Sequence, residues 1–224
     1  SPILLTYPAY PFSTELYTLV SQLPIGFRCI ALKQAVSIEL LTIISRMSEI
    51  QAILAKTASH SAATPELDYL HRYQPESEFQ EGFDCLRRLP PNPVTLDHCL
   101  CLAVMVFTNL TFNVMRFGSL WQRMRESLTN AILEYTPKPF EEHCLSWTRL
   151  IAVWSWEGRL GLDAPGRTVL ENMLTRHVTM RSPDAMVKIF RDFFYTDELD
   201  KTLRKYWRGL DVAEIEDTQE SQRS

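Results

Sequence analysis

Glycine is scarce in this chain: 224 residues contain seven. Phosphate-cradling loops depend on clustered glycines, and the nearest approach here is Gly158-x-x-Gly161. No strand pattern precedes it and no Lys-Ser/Thr follows, so it is not a phosphate loop. A Gly-x-Ser-x-Gly nucleophile elbow is missing too. Cys-x-x-Cys occurs nowhere among Cys29, Cys85, Cys99, Cys101 and Cys144. An odd count in apolar context fits reduced core thiols of a cytosolic or nuclear protein better than a disulfide framework. No segment shows sustained two-residue alternation bounded by hairpin turns, so no strands are expected. The first residues lack the charged start and apolar run of a signal peptide.

An excess of either charge is absent from the body as well. The net charge is −4. Asp211, Glu214, Glu216, Asp217 and Glu220 against Arg223 place all of that excess in residues 211–224, which read as an acidic, disordered tail. Residues 1–210 are formally neutral and contain no basic block. Nucleic-acid affinity rests largely on Lys and Arg neutralising phosphates, so no direct nucleic-acid binding by this chain is expected.

What the chain has in quantity is apolar bulk, 46% of its residues. The strongest run is Thr95–Phe117, read as one helix from a Thr95 cap and Asp97 at its positive end. Apolar residues fall on nearly every side of it, the mark of a buried helix. The uninterrupted part, Cys99–Phe107, is far short of the about 20 residues a membrane span needs. A buried central helix is therefore expected, and no membrane partner. Asn109-Leu110-Thr111 spells a glycosylation sequon but lies in that buried helix.

Around this axis the pattern predicts helices over Glu15–Gln22, Cys29–Ala35, Ile38–Lys56, Pro75–Leu89, Ser119–Tyr135, Phe140–Leu160 and Thr168–Arg181. Two more start at Ser182-Pro183-Asp184 and Thr196-Asp197-Glu198, the last ending near Gly209. Thr57–Thr64 reads as a small-residue linker, 66–73 as a turn or two, and Leu23–Arg28 as a turn. Ser77-x-x-Gln80 and Ser119-x-x-Gln122 are candidate capping boxes. The expected architecture is all-α, one compact multi-helix domain.

Four segments, taken in order, carry a likeness. They are Leu23-Pro24-x-Gly26-Phe27-Arg28 and the central apolar helix with Asn109 and Asn113; then Cys144-Leu145-Ser146-Trp147 running into Ala152-Val153-Trp154 and Glu157-Gly158-Arg159; and last Phe190-Arg191-Asp192-Phe193-Phe194-Tyr195-Thr196-Asp197-Glu198-Leu199-Asp200 with Tyr206-Trp207 behind it. Together they resemble the C-terminal, fungal-specific regulatory domain of binuclear zinc-cluster transcription factors, over most of residues 20–210. The resemblance implies a helical regulatory domain of a nuclear protein, without catalytic residues or cofactor. It would respond to an effector or protein partners, and the six-cysteine DNA-binding cluster of that family is not in this chain.

Chemistry candidates are few. His98-Cys99-x-Cys101 has metal-ligand letters, but on a helix Cys99 points away from the other two. Asp197, Glu198 and Asp200 are the densest carboxylates of the body, at a helix start where they favour the dipole. Lys201, Arg204, Lys205 and Arg208 alternate with acids and read as a solvated face. Met105, Phe112, Trp121, Trp147, Ile151 and Trp154 could line a pocket for a small apolar effector between the central helix and the Trp147–Trp154 face, although any large helical core contains such a stripe. A small all-α enzyme acting on an apolar substrate and a free-standing scaffold that forms homodimers are the competing expectations.

Overall fold

Ten helices of a computed structural model hold the described residues, which are 4–59, 75–114, 118–158, 161–176 and 182–207. They are α1 (Thr14–Gln22), α2 (Ile25–Leu32), α3 (Ile38–Ser59), α4 (Pro75–Arg88), α5 (Leu96–Phe112), α6 (Ser119–Glu134), α7 (Glu142–Ser155), α8 (Ala164–Arg176), α9 (Pro183–Phe190) and α10 (197–207). A 3-10 turn, Pro139–Glu141, leads into α7. One contiguous core runs from Leu16 to Trp207 and joins all ten helices. The protein is all-α and compact, as the helical periodicity predicts.

Helix α5 is the axis, packed against α3, α4, α6 and α7. Apart from His98, every residue from Leu96 to Asn109 is buried. It stops at Phe112, five residues before the expected end. Asn113 adopts the left-handed conformation (φ 52°) and its amide closes on the Asn109 carbonyl. Asparagine tolerates that conformation, so an asparagine cap ends the helix where no Gly or Pro does. Against α4, close approach is possible because Gly82 has no side chain. A Cβ there would lie 2.7 Å from Met105 Cγ, and the Cys101 thiol donates to the Gly82 carbonyl at 3.2 Å.

Helix α7 is a second all-round buried helix, with no exposed residue from Cys144 to Ser155. Three of its serine and threonine hydroxyls are satisfied along its own backbone: Ser146 donates to the Glu142 carbonyl, Thr148 to Cys144 and Ser155 to Ala152. Such back-bonding lets Ser and Thr enter an apolar interior without an orphaned hydroxyl.

Several expected boundaries move. The LPxGFR segment is not a turn; helix begins at Ile25, with Pro24 fixing the entry, and ends at Leu32. The expected linker's first three residues, Thr57 to Ser59, are helical instead, because α3 continues through Ser59; residues 60–64 lie outside the described residues. Ser77 lies inside α4 and Ser119 is the first residue of α6 after Gly118, so neither capping box has its serine at the cap. Helix α7 ends at Ser155 rather than Leu160, and α8 starts at Ala164 rather than Thr168. Between them the expectation of no strands fails: Glu157 pairs with Leu162 and Gly158 with Gly161 in a two-residue antiparallel ladder. Gly161, at φ 118°, supplies a turn conformation that other residues avoid. Segment 66–73, Arg208 and the acidic tail 211–224 lie outside the described residues.

Candidate functional site

The segments that carry the family likeness meet in the core. Phe27 of α2 packs edge-on to Trp147 of α7 (ring centroids 5.2 Å) and to Phe193 (4.9 Å). Phe107 of α5 stacks on Phe194 at 5.3 Å, and Trp147 stacks on Phe193 at 5.9 Å. Two hydrogen bonds fix the junction: Gly26 N–H to the Asp192 carbonyl at 2.7 Å, and Trp147 Nε1–H to the Phe194 carbonyl at 2.9 Å. Gly26 is glycine because Phe193 occupies the Cβ position, 2.4 Å from its Cζ.

The six predicted pocket residues divide accordingly. Met105, Trp147, Ile151 and Trp154 are core residues, and Phe112 and Trp121 are half-buried against that core. The gap expected between α5 and the Trp147–Trp154 face is bridged by the Phe107 ring, 6.2 Å from Trp147 and 6.3 Å from Trp154. None of the six lines either of the two clefts that follow.

The larger cleft, about 400 Å³, opens at the N-terminal end of α5. Its walls are Tyr7, the 34–35 loop after α2, Val94 to Asp97, and the turn from Tyr135 to Glu141. Two carboxylates at its base are 2% exposed, Asp97 and Glu141. Asp97 Oδ1 accepts from the Ser37 amide (3.0 Å) and hydroxyl (2.8 Å), and Oδ2 accepts from the Tyr7 hydroxyl (2.9 Å). Glu141 Oε2 accepts from the Tyr135 hydroxyl (2.7 Å) and the Lys138 amide (2.8 Å). Each is therefore a buried carboxylate held by one tyrosine and one backbone N–H. Burial pushes the Asp97 carboxyl up, against the pull of its three donors. Burial and the adjoining carboxylates push both tyrosine hydroxyls up as well, so both remain protonated donors.

Tyr7 reaches this site from an N-terminal strap. Thr6 N–H donates to the Glu39 carboxylate (3.0 Å to Oε2) and its carbonyl accepts from Ile38 N–H at 2.7 Å. Arg88 ties the strap to α4 by donating to the Leu4 carbonyl and to Glu39, both at 2.8 Å. His98, the next residue along α5, is not part of the lining. Its Nδ1 accepts the Thr95 amide at 3.0 Å, and burial holds its pKa below the ordinary histidine value. The Nδ1 lone pair of this neutral imidazole is thus taken up by the Thr95 amide. Cys99 and Cys101 are buried thiols, that of Cys99 pushed up to about 12 by desolvation. Among the described residues no three His, Cys, Asp or Glu side chains converge as metal ligands.

The smaller cleft, about 330 Å³, lies between α6 and the start of α8 and includes Trp156. Trp156 donates to Thr129 at 2.9 Å and carries the Arg125 guanidinium 4.0 Å over its ring. Thr196 caps α10 by accepting Leu199 N–H. Asp200 is held there by Tyr195 (2.6 Å) and Arg204 (2.9 Å), whose hydrogen bonds keep its carboxyl below the usual range. Asp197 and Glu198 are exposed. Lys205 pairs with Glu157 of the hairpin at 3.2 Å.

Of the cleft residues, the sequence singles out Asp97 only as a helix-start carboxylate and Tyr7 not at all. Tyr7 and Asp97 are 90 positions apart, and no spacing rule joins them. The Tyr135–Glu141 pair is local, and the Pro137-Lys138-Pro139 turn that folds it is visible in the chain. Comparison with family models, with curated proteins and with solved structures finds no match. None of the helices among the described residues is long and apolar enough to cross a membrane.

Proposed function

We propose that the chain is a non-enzymatic regulatory domain of the fungal zinc-cluster transcription-factor type, nuclear and responsive to an effector or a protein partner, with its DNA contact outside this chain. One observation carries the reading. The segments that resemble the family in sequence order are also the segments that meet at the Phe27–Phe107–Trp147–Phe193–Phe194 junction. Their aromatic side chains are used in packing, the role that motif residues of a regulatory fold without catalytic groups would have. The one-piece core suits a domain that passes a ligand or partner signal as a unit.

The test fuses the full chain to a heterologous DNA-binding module above a reporter in a fungal host. Reporter output should depend on the chain and fall when Phe27→Ala or Phe194→Ala disrupts the junction. Sequencing the transcript upstream of Ser1 supplies the second arm, where a six-cysteine cluster followed by a basic linker is expected. A transcript without that cluster, together with a reporter indifferent to the fused chain, would sink the proposal.

A further inference from the structure

We propose that Arg149 of α7 receives an oxyanion, the carboxylate or phosphate group of a small ligand, in the place beside its guanidinium that Glu142 now approaches. This names an effector class for the regulatory domain and rests on that reading for its biological role, while binding itself is measured independently.

The unsatisfied groups point there first. Among the described residues, Arg28 Nε, Thr111 Oγ1, Arg149 Nη1, Tyr206 Oη and Trp207 Nε1 are buried without a hydrogen-bond partner. Thr111, Tyr206 and Trp207 are neutral, and the Arg28 guanidinium donates through Nη2 to the Ser21 and Leu23 carbonyls at 2.7 and 3.1 Å. Arg149 has no such outlet among the described residues. It is 3% exposed, and its ion pair reaches Glu142 Oε2 at 3.7 Å, outside hydrogen-bond distance. Buried charges ordinarily carry hydrogen bonds as well as a counter-charge, and one that lacks them is stabilised by an anion that supplies acceptors.

Charge balance and geometry give the class of ligand. The charged groups that act on Arg149 are Glu142 and Arg176 of α8, so two guanidiniums stand against one carboxylate. Cys99, the remaining titratable neighbour, is a protonated thiol. That surplus excludes a cation and favours a second negative charge. The planar guanidinium fork matches two oxygens of one carboxylate or phosphate. Glu142 marks where that group sits. It is the first residue of α7 and stands i, i+7 to Arg149, on the same face. It brings a carboxylate toward the fork without closing a hydrogen bond. Its side chain is 31% exposed, so the carboxylate can turn outward when another oxyanion takes the place. Arg176 is exposed at the end of α8, and so meets an arriving anion in water.

The experiment titrates the full chain at about pH 7 with inorganic phosphate and with acetate by calorimetry, with chloride at equal ionic strength as the control. Saturable one-to-one binding of at least one oxyanion is expected, and the tighter of the two tells a phosphorylated from a carboxylated effector. Arg149→Lys keeps the charge and loses the fork, so Kd should rise at least about tenfold. Glu142→Gln removes the competing carboxylate and should lower Kd at least about threefold. In urea unfolding the oxyanion should raise the wild-type midpoint above that in chloride. A folded Arg149→Met chain should keep only the general salt effect that both proteins share. No saturable binding by the wild-type chain or by Glu142→Gln at about 20 mM oxyanion, or equal affinity in the wild type and Arg149→Lys, overturns the proposal. If an oxyanion binds and the reporter ignores the chain, the regulatory reading fails and the site stands. If the reporter responds and no oxyanion binds, the reverse holds.

Discussion

The middle of α5 and its N-terminal end are equally buried and chemically opposite. In the middle, Phe107 meets Phe194, Trp147 and Trp154, and two directional bonds, Trp147 to the Phe194 carbonyl and Gly26 to the Asp192 carbonyl, fix the arrangement. At the N-terminal end, Asp97 is held by three hydrogen bonds from two separate stretches of chain. Apolar contact is non-directional and spread over many atoms, so the middle tolerates exchange of shape for shape. The polar end tolerates little, because each donor removed from water needs its particular acceptor. Apolar burial is concentrated in the first region, and directional bonds between distant stretches of chain in the second.

Breaking the apolar side gives the largest effect. Trp147→Ala removes the ring on which Phe27, Phe193 and Phe194 close and orphans the Phe194 carbonyl. The expected loss is about 3–5 kcal/mol of unfolding free energy. Urea denaturation followed by tryptophan fluorescence and by circular dichroism measures it. A loss under about 1 kcal/mol would mean that the junction is not the centre of the fold.

Next in size is the polar side. Asp97→Ala leaves the Ser37 amide, the Ser37 hydroxyl and the Tyr7 hydroxyl without their acceptor, at about 1–3 kcal/mol for each buried group left unsatisfied. Water entering the open cleft can satisfy the tyrosine, which brings the expected total to about 2–4 kcal/mol. Asp97→Asn keeps the acceptor for Ser37 and can donate to the Tyr7 oxygen, so it should cost about 1 kcal/mol or less. Equal urea midpoints for the two variants would show that the carboxylate, not merely an acceptor, is required, and the contrast between the two regions would lose its basis.

How much of this was legible in the chain follows the same division. The burial of α5 reads directly from Cys99–Phe107, and the starts of α9 and α10 read from Ser182-Pro183 and Thr196, whose side chains do cap. Those signals are local. The end of α5 was missed because a left-handed asparagine is a weaker stop than glycine, and the end of α7 because the Glu157–Leu162 ladder is too short to show alternation. The apolar stripe Met105, Trp147, Ile151 and Trp154 was recognisable as buried, but nothing in spacing reveals that Phe107 fills the gap between the helices. The cleft is the least legible part. Its Ser37–Asp97 and Tyr7–Asp97 bonds span 60 and 90 positions and exist only once α3 and the strap have docked.

A smaller perturbation sharpens the comparison from inside the junction. Gly26→Ala puts a methyl group into the Phe193 ring, which cannot retreat while stacked on Trp147. Helix propensity alone favours alanine, so the steric term must outweigh a gain of up to about 1 kcal/mol. The net expectation is destabilisation of about 1–2 kcal/mol, typical of overpacking. A stabilised Gly26→Ala chain would show that the α2 contact with Phe193 yields easily and that apolar tolerance extends even here.

The mildest test is pH, and it addresses the polar end alone. Burial lowers the folded pKa of His98 below its unfolded value near 6.5, so the unfolded chain binds the extra proton first. The His98 contribution is therefore complete above about pH 6.5 and is lost as pH falls through the folded value. Asp97 runs the other way: its raised folded pKa means a contribution present below the ordinary carboxylate range and lost as pH rises through the folded value. Between pH 7 and 5 the histidine should dominate, because the Thr95 amide and a ring proton cannot both occupy Nδ1. Stability should decline over that interval, and His98→Gln, which offers an amide oxygen to Thr95 and does not titrate, should flatten the decline. If His98→Gln keeps the same slope, the titrating group lies elsewhere. The neutral imidazole would then not be what holds the start of α5 beside the two carboxylates.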